Sequence, residues 1–193
     1  IFALAFQSFA QWTKTWPEMK ELNLAINLSV KQLMQPALVE EIKVCAAEHN
    51  FPLQNLHLEI TESIFLNQNK ENRTLIEELN RLGVTITIDD FGTGYSSLNY
   101  LNEFSIDAVK IDKSMIHQIV SNERCQYIVE SMVHLAQKLN LIIVAEGIED
   151  LEQLQVLQAL QCQLGQGFLF CRPMPGDSVG SFCQSTQALS FSN

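Results

Sequence analysis

Two carboxylates stand side by side in the stretch TITIDDFGTGYSSL, which covers residues 85–98. Asp89 and Asp90 follow four β-branched residues that are typical of a strand. Adjacent ionised acids repel each other, so their position needs a physical reason. Capping of a helix is one reason, because Asp is a favoured N-cap residue. The glycines Gly92 and Gly94 favour a ligand site instead, because they permit unusual backbone angles and the close approach of an ion.

Other polar side chains lie near the ends of apolar, strand-like runs. They are Asn27, Glu59, Lys110 and Glu146. In a parallel (β/α) barrel the C-terminal ends of the strands converge on one face, and that face carries the active site. A cluster of carboxylates there is tolerable only beside a cation. The sequence therefore predicts a shared cation site at the strand ends.

Each of these residues also has a simple structural interpretation. A salt bridge would explain Glu59, although the neighbouring Thr61 and Glu62 indicate a wider polar network. An ion pair on the rim of the sheet would explain Lys110, which precedes Asp112 by two residues.

The acidic segment that follows the fifth strand-like run has a similar explanation. Glu149 and Asp150 fit the first turn of a helix, where acids are favoured, whereas Glu146 is still within the strand. Polar residues at the ends of several strands are together stronger evidence for a site than any one of them alone.

The chemistry that fits this donor set is hydrolysis of a phosphodiester by two divalent ions. Hard oxygen ligands suit Mg²⁺ or Mn²⁺. Two ions bridged by one carboxylate can stabilise the attacking and leaving oxygens, and they activate bound water. Two adjacent Asp residues suit that geometry, and a Lys can hold the water or neutralise the phosphate.

Strand-like and helical segments alternate along the chain. The strand-like runs are 22–28, 56–61, 84–89, 107–112, 141–147 and 165–170, and the helical patterns are 36–50, 73–83, 126–140 and 151–161. A short helix of one or two turns is expected in SSLNYL, and an amphipathic helix at the N-terminus. Alternation with short connections predicts βα units and a parallel sheet.

Composition excludes several classes of protein. The chain has 193 residues, 47% of them hydrophobic and 18% charged, which is typical of a globular domain. A net charge of -10 argues against binding of duplex nucleic acid, which needs a basic face. The five cysteines lack CxxC spacing, which favours a reduced, cytoplasmic setting. No run is long enough to span a membrane, so we expect no membrane contact from this segment.

The order of motifs resembles the bacterial EAL domain, the phosphodiesterase of cyclic di-GMP. The matching stretches are INLSVKQL, LEITES, DDFGTGYSSL, VKIDKSMI, VAEGIED and GQGFLFCRPMP. The resemblance covers essentially the whole chain. It implies a TIM-like (β/α) barrel with one antiparallel strand, and metal-dependent hydrolysis of cyclic di-GMP to linear pGpG. It also implies a homodimer in bacterial signal transduction.

The resemblance gives roles to individual residues. The implied metal ligands are Asn27, Glu59, Asp89, Asp90 and Glu146, with Asp89 bridging two Mg²⁺ or Mn²⁺ ions. Lys110 is similar to the residue that positions the attacking water, and Glu146 to a ligand that also acts as base. Glu62 resembles the residue that anchors the loop from Phe91 to Ser97. Thr61, Gly92 and Gly94 are assigned to the same loop and its support. Asp112, Glu149 and Gln166 match positions near the substrate.

The chain departs from the family in one respect. The Glu-Ala-Leu tripeptide that names the family does not occur in it. We therefore expect residues 1–193 to form a single EAL-type barrel domain whose N-terminal strands are missing, in a cytoplasmic parent that upstream segments can anchor to a membrane. With one metal ligand short, the chain is expected to be a poor catalyst on its own. A cyclic di-GMP receptor without activity is the alternative function, and a protein-interaction module is a more remote one.

Overall fold

The computed structural model describes residues 1–66, 70–93 and 99–185, with the side chains of residues 65 and 66 left out. The described residues form two compact units. The first unit comprises residues 1–86, 99–105 and 174–185, and the second comprises residues 87–93 and 106–173. Gly94 and most of the predicted loop from Phe91 to Ser97 lie outside the described residues.

The first unit contains two parallel strands and most of the helices. Its elements are α1 (Phe2–Thr15), a 3-10 turn (Pro17–Glu21), β1 (Leu24–Leu28), α2 (Val30–Leu33), α3 (Leu38–His49), a second 3-10 turn (Leu53–Asn55), β2 (Leu56–Thr61), α4 (Ser63–Leu66), α5 (Lys70–Arg81), α6 (Tyr100–Glu103) and α10 (Gly176–Ser185). Strands β1 and β2 pair so that Asn27 lies directly beside Glu59. The two predicted ligands of this unit are therefore neighbours in the sheet.

Aromatic side chains form the core beneath helix α1. Phe2, Phe6 and Phe9 are buried on one face of α1. The ring of Phe6 stacks on Phe51 with ring centroids 4.2 Å apart. This apolar stripe at helical spacing explains why the N-terminal segment is an amphipathic helix, as the sequence predicts.

The second unit contains the remaining strands. Its elements are most of β3 (Thr85–Phe91), β4 (Ala108–Ile111), α7 (Lys113–Ile116), α8 (Glu123–Lys138), β5 (Ile142–Glu146), α9 (Leu151–Ala159) and β6 (Leu164–Gln166). Consecutive strands pair in parallel, β3 with β4, β4 with β5, and β5 with β6. The predicted site residues thus lie at the C-terminal ends of their strands, as the βα alternation requires.

Local sequence signals explain where the helices begin and end. Asp150 and Gln153 form a reciprocal capping box at the start of α9. Asn122 caps α8 by accepting a hydrogen bond from the amide of Cys125. Gly83 adopts a φ of 85°, which is the left-handed conformation expected for a glycine after a helix. The predicted end of helix α5 at Gly83 is confirmed.

One predicted strand is shorter than expected. The run 165–170 leaves the sheet after Gln166. The backbone then turns, because the amide of Leu169 donates to Ile148 O at 3.0 Å and that of Phe170 donates to Gly167 O at 3.1 Å. One of these bonds lies within the turn and the other goes to Ile148, beyond the end of β5, so the prediction of strand structure for residues 167–170 is wrong. All four described strand pairs are parallel, and the implied antiparallel strand stays a prediction.

Candidate metal centre

Three carboxylates of the second unit form a tight cluster. One oxygen each from Asp89, Asp90 and Glu146 lies within 4.8 Å of the other two. All three side chains are half-buried. Oxygen donors at this spacing suit a hard divalent cation, because Mg²⁺ and Mn²⁺ prefer carboxylate ligands. The donor set present therefore fits the metal that the sequence predicts.

An irregularity in strand β3 explains how two adjacent Asp side chains can share this cluster. The register with β4 shifts between Ile88 and Phe91, so β3 has one more residue than its partner there. Asp90 adopts a φ of 56°, a left-handed conformation that Asp tolerates better than most residues. Ile88 and Phe91 are buried on either side of the pair, at 0% and 3% exposure. The extra residue breaks the alternation of the strand, which lets both carboxylates lie outside the apolar core.

The next helix of the described chain does not use the Asp pair as a cap. Helix α6 has Asn99 at its N-cap position. The amide of Asp90 instead donates to Oδ1 of Asp89 at 3.1 Å. The interpretation of Asp89 and Asp90 as a helix cap receives no support from the described residues.

Lys110 supplies a positive charge within the acidic cluster. Its side chain projects from β4 and is almost fully buried, at 4% exposure. Nζ of Lys110 lies 2.5 Å from Oε1 of Glu146 and 3.4 Å from Oδ1 of Asp89. A buried ammonium needs such partners, because an unpaired charge away from water is strongly unfavourable. These contacts explain the strand-end lysine without the rim pair to Asp112 that the sequence also allowed.

The Asp112 carboxylate has a local structural role. It caps α7 by accepting a hydrogen bond from the amide of Ser114 at 2.9 Å, and the Ser114 hydroxyl donates to the same oxygen. Burial alone would raise the pKa of Asp112, but hydrogen bonds from Ser114 and Lys113 together with the Lys113 charge hold it below its usual value. Asp112 is therefore ionised at neutral pH. Its role near the substrate remains a prediction.

The pKa of Asp90 is shifted the other way. Burial raises it most, and the negative charges of Asp89 and Asp112 raise it further, against the opposing effect of Lys110 and Lys113. Like charges disfavour the ionised form of a carboxyl group, and a nearby cation stabilises that ionised form. The electrostatics of the cluster thus favour a bound cation.

Gln166 and Glu149 were both expected near the substrate. Nε2 of Gln166 donates to Oε1 of Glu146 at 2.7 Å, so Gln166 belongs to the cluster. The register places Gln166 directly beside Glu146 in the sheet. The exposed Glu149 lies outside this contact, and its carboxylate is 3.7 Å from Nε2 of His117.

In the first unit, the predicted loop support Glu62 has a partner that sequence reasoning missed. Glu62 lies just after β2 and is 6% exposed. Oε1 of Glu62 accepts a hydrogen bond from the hydroxyl of Tyr100 at 3.3 Å, while Oε2 is buried without a partner among the described residues. Burial first, and then Glu62, raises the pKa of Tyr100. The tyrosine in SSLNYL was the available signal, since a buried tyrosine hydroxyl needs a partner.

The other predicted residues of the first unit lie at or near the ends of β1 and β2. Thr61 exchanges a hydrogen bond with Ser63, with 3.0 Å between the two hydroxyl oxygens. Asn27 is exposed and Glu59 is half-buried, and the two are paired in register. An amide oxygen and a carboxylate at adjacent strand positions can bind one ion together.

A separate groove in the first unit has no link to the predicted site. Its volume is about 790 Å³, and it lies between the α2–α3 segment and α5. Its walls mix apolar residues such as Val39 and Leu75 with charged residues such as Lys43 and Glu78. Nζ of Lys43 already lies 3.5 Å from the Glu78 carboxylate. None of the residues predicted to bind metal or substrate lines this groove.

Comparison with known proteins identifies the family. The EAL domain model matches residues 1–173. The chain therefore belongs to the EAL domain family, and the fold and site described above agree with that membership.

Curated relatives that carry functional names include a phosphodiesterase. The chain is 38% identical over 166 residues to the cyclic di-GMP phosphodiesterase NbdA of Pseudomonas aeruginosa. The aligned region covers 86% of this chain and 21% of NbdA. The chain spans about a fifth of the length of the first curated relatives it matches, 22% and 21%.

Solved structures confirm the predicted fold class, a TIM-like barrel of the EAL type. The EAL domain of Mycobacterium smegmatis DcpA superposes with a TM-score of 0.89 at 33% identity, over 95% of this chain and 82% of that chain. Klebsiella pneumoniae BlrP1, solved as a manganese/cy-diGMP complex, has a TM-score of 0.78 at 31% identity, over 91% of this chain and 45% of that chain. A divalent metal in that structure and the acidic cluster here together support the use of divalent metal. Within the described residues, no helix has the length and apolar character needed to cross a membrane.

Proposed function

We propose that this EAL domain hydrolyses cyclic di-GMP to the linear dinucleotide pGpG with two Mg²⁺ or Mn²⁺ ions. The observation that carries the proposal is the cluster of Asp89, Asp90 and Glu146, whose oxygens lie within 4.8 Å of one another. The buried Lys110 completes this arrangement. The name of the relative NbdA and the manganese/cy-diGMP complex of BlrP1 support the same substrate and metal class.

The proposed metal ligands are those that the family resemblance implies. Asn27, Glu59 and Asp89 would hold one ion, and Asp89, Asp90 and Glu146 would hold the other. Bound divalent ions would supply a nucleophilic hydroxide at neutral pH and would stabilise charge on the phosphate. The pairing of Asn27 with Glu59 in register supports their assignment to one ion.

The protein's own groups orient the reactants around this centre. The ammonium of Lys110 lies 2.5 Å from Glu146 and 3.4 Å from Asp89. These two contacts orient its N–H donors. In that position Lys110 can donate to the attacking water and offset negative charge on the phosphate. Glu146 accepts a proton from the water, and the hydrogen bond from Gln166 orients its carboxylate.

The remaining roles follow the family pattern. Asp112, Glu149 and Gln166 contact the substrate, whereas Glu62 and Thr61 support the loop that contains Gly92 and Gly94. The domain works as a homodimer in the bacterial cytoplasm. The buried Glu62–Tyr100 contact supports the loop assignment, since it joins Glu62 to the first residue of α6.

Substitution of the bridging ligand tests the proposal. In Asp89→Asn, turnover of cyclic di-GMP should fall at least about a hundredfold, because one change weakens both ions. Asp177→Asn on the exposed first turn of α10 is the matched control and should keep full activity. Turnover by Asp89→Asn at the wild-type rate would overturn the proposed mechanism.

A further inference from the structure

Two methionines lie against the backbone just beyond the acidic cluster. Gly92 follows Asp90 by two residues and has a φ of 91°. A Cβ atom at Gly92 would overlap Cε of Met132 and would lie 3.4 Å from Sδ of the same side chain. It would also lie 3.5 Å from Sδ of Met115. The methyl group of Met132 therefore occupies the space that the missing side chain of Gly92 leaves open.

This contact supports a strained section of chain. Both Asp90 and Gly92 have positive φ, which glycine adopts without strain. At Asp90 this conformation costs free energy, and it persists only where the surrounding structure determines it. The turn itself is closed by Thr93, whose amide and hydroxyl donate to Asp90 O at 3.2 Å and 2.9 Å. Phe91, at 3% exposure, anchors the segment in the core from the strand side. Met132 closes it from the helix side.

The two methionines are themselves held in place. Met115 follows the N-terminal turn of α7, and its carbonyl accepts a hydrogen bond from the thiol of Cys125 at 3.3 Å. Met132 is half-buried on α8 beside the fully buried Val133. Because Cys125 also belongs to α8, this bond ties the two helices that carry the methionines. Both thioether side chains thus lie against Gly92.

We propose that Met132 is a positioning residue for the metal ligands, because its methyl group packed on Gly92 holds the left-handed turn that directs the Asp89 and Asp90 carboxylates into the cluster. This inference rests on the proposed metal site. Methionine suits the task, since its unbranched, polarisable side chain fills irregular gaps beside backbone. A shorter side chain would leave the turn free to relax toward regular strand geometry, which would move one of the two carboxylates away.

Binding of Mn²⁺ alone, measured by isothermal titration calorimetry on the full chain, tests the inference. Met132→Ala should weaken Mn²⁺ binding about tenfold, within the range known for residues that orient metal ligands. Met132→Leu, which restores apolar volume against Gly92, should recover most of that loss. Leu135→Ala removes a half-buried side chain from the same helix and should leave Mn²⁺ affinity unchanged.

Each outcome decides between the alternatives. Equal Mn²⁺ affinity in folded Met132→Ala and wild type would overturn the positioning role while leaving the proposed function intact. No Mn²⁺ binding by the wild type would overturn both. An equal loss in Leu135→Ala would show a general effect of α8 stability and would also overturn the role. If Met132→Ala does not fold, Met132→Val, which is too short to reach Gly92, takes its place with the same expected loss.

Discussion

Nζ of Lys110 lies 2.5 Å from Oε1 of Glu146, in a contact where the lysine side chain is 5% exposed and the glutamate side chain 15% exposed. A second carboxylate, that of Asp89, lies 3.4 Å from the same ammonium. Lys110 thus offsets part of the repulsion among the carboxylates before any metal binds. A divalent cation would supply the remaining positive charge.

Removal of Lys110 should therefore destabilise the metal-free protein. Lys110→Met leaves two buried carboxylates without their counter-charge, and we expect a loss of about 3 kcal/mol in the free energy of unfolding. Saturating Mn²⁺ should raise Tm by more in this variant than in the wild type, because the cation replaces the lost charge. Thermal unfolding with and without Mn²⁺ measures both effects. Lys138→Met, at an exposed position in the last turn of α8, is the control, and an equal Mn²⁺ effect in Lys110→Met and wild type would contradict the account.

The contact between Tyr100 and Glu62 predicts a specific cost for a single hydroxyl. Tyr100→Phe removes the hydroxyl whose hydrogen bond Oε1 of Glu62 accepts at 3.3 Å, and it leaves the buried carboxylate without that bond. We expect a loss of about 1–3 kcal/mol in the free energy of unfolding, measured by denaturant titration. Tyr127→Phe, on the exposed face of α8, should cost less than about 0.5 kcal/mol. Equal stability of the two variants would show that the Tyr100 hydroxyl has no structural role.

Close packing of α10 against the N-terminal helix predicts a penalty for a glycine substitution. A Cβ at Gly180 would overlap the indole ring of Trp16, whereas a Cβ at Gly176 would lie at an ordinary 3.6 Å from Trp12. Alanine is favoured over glycine within helices by up to about 1 kcal/mol, so any loss in Gly180→Ala must come from the overlap. We expect a lower Tm and a red shift of tryptophan emission for Gly180→Ala, and neither change for Gly176→Ala. A Tm at or above that of wild type would refute this packing.

The buried thiol of Cys162 predicts a change of stability with pH. Burial raises its pKa to about 11 from 9.0, against weaker opposing hydrogen bonds from backbone groups including Leu164. A raised folded-state pKa gives stability that is present below pH 9 and is lost as pH rises toward 11. In Cys162→Ala the contribution of this thiol to the fall in the free energy of unfolding between pH 9 and 11 should disappear. Denaturant titrations at several pH values measure that fall. Cys183→Ala, at an exposed position, should keep the wild-type dependence.

Much of the fold could be predicted because its signals are local. The β-branched run before Asp89 and the glycine after α5 specify a strand and a helix end from neighbouring residues alone. The last strand was overextended, since residues 167–170 are as apolar as a strand. Their amides instead bond to the carbonyls of Ile148 and Gly167, and Ile148 is distant in sequence.

The site could be predicted only in part. Residue types at strand ends indicated Lys110 and Glu146, because polar groups in an apolar strand need partners. The left-handed turn at Asp90 could not be predicted, since it depends on the register with β4 and on packing from α8. The partner of Glu62 was missed for a similar reason. Tyr100 lies 38 residues away, and no sequence pattern links the two.

Product analysis tests the central claim most directly. The longer parent protein that contains residues 1–193 is incubated with cyclic di-GMP and Mn²⁺, and with cyclic di-GMP and excess chelator, and the nucleotides are separated by liquid chromatography with mass detection. The account predicts linear pGpG as the product with Mn²⁺ and unchanged cyclic di-GMP with chelator. Bound but intact cyclic di-GMP in the presence of saturating Mn²⁺ would contradict it and would indicate a receptor that holds the dinucleotide without cutting it.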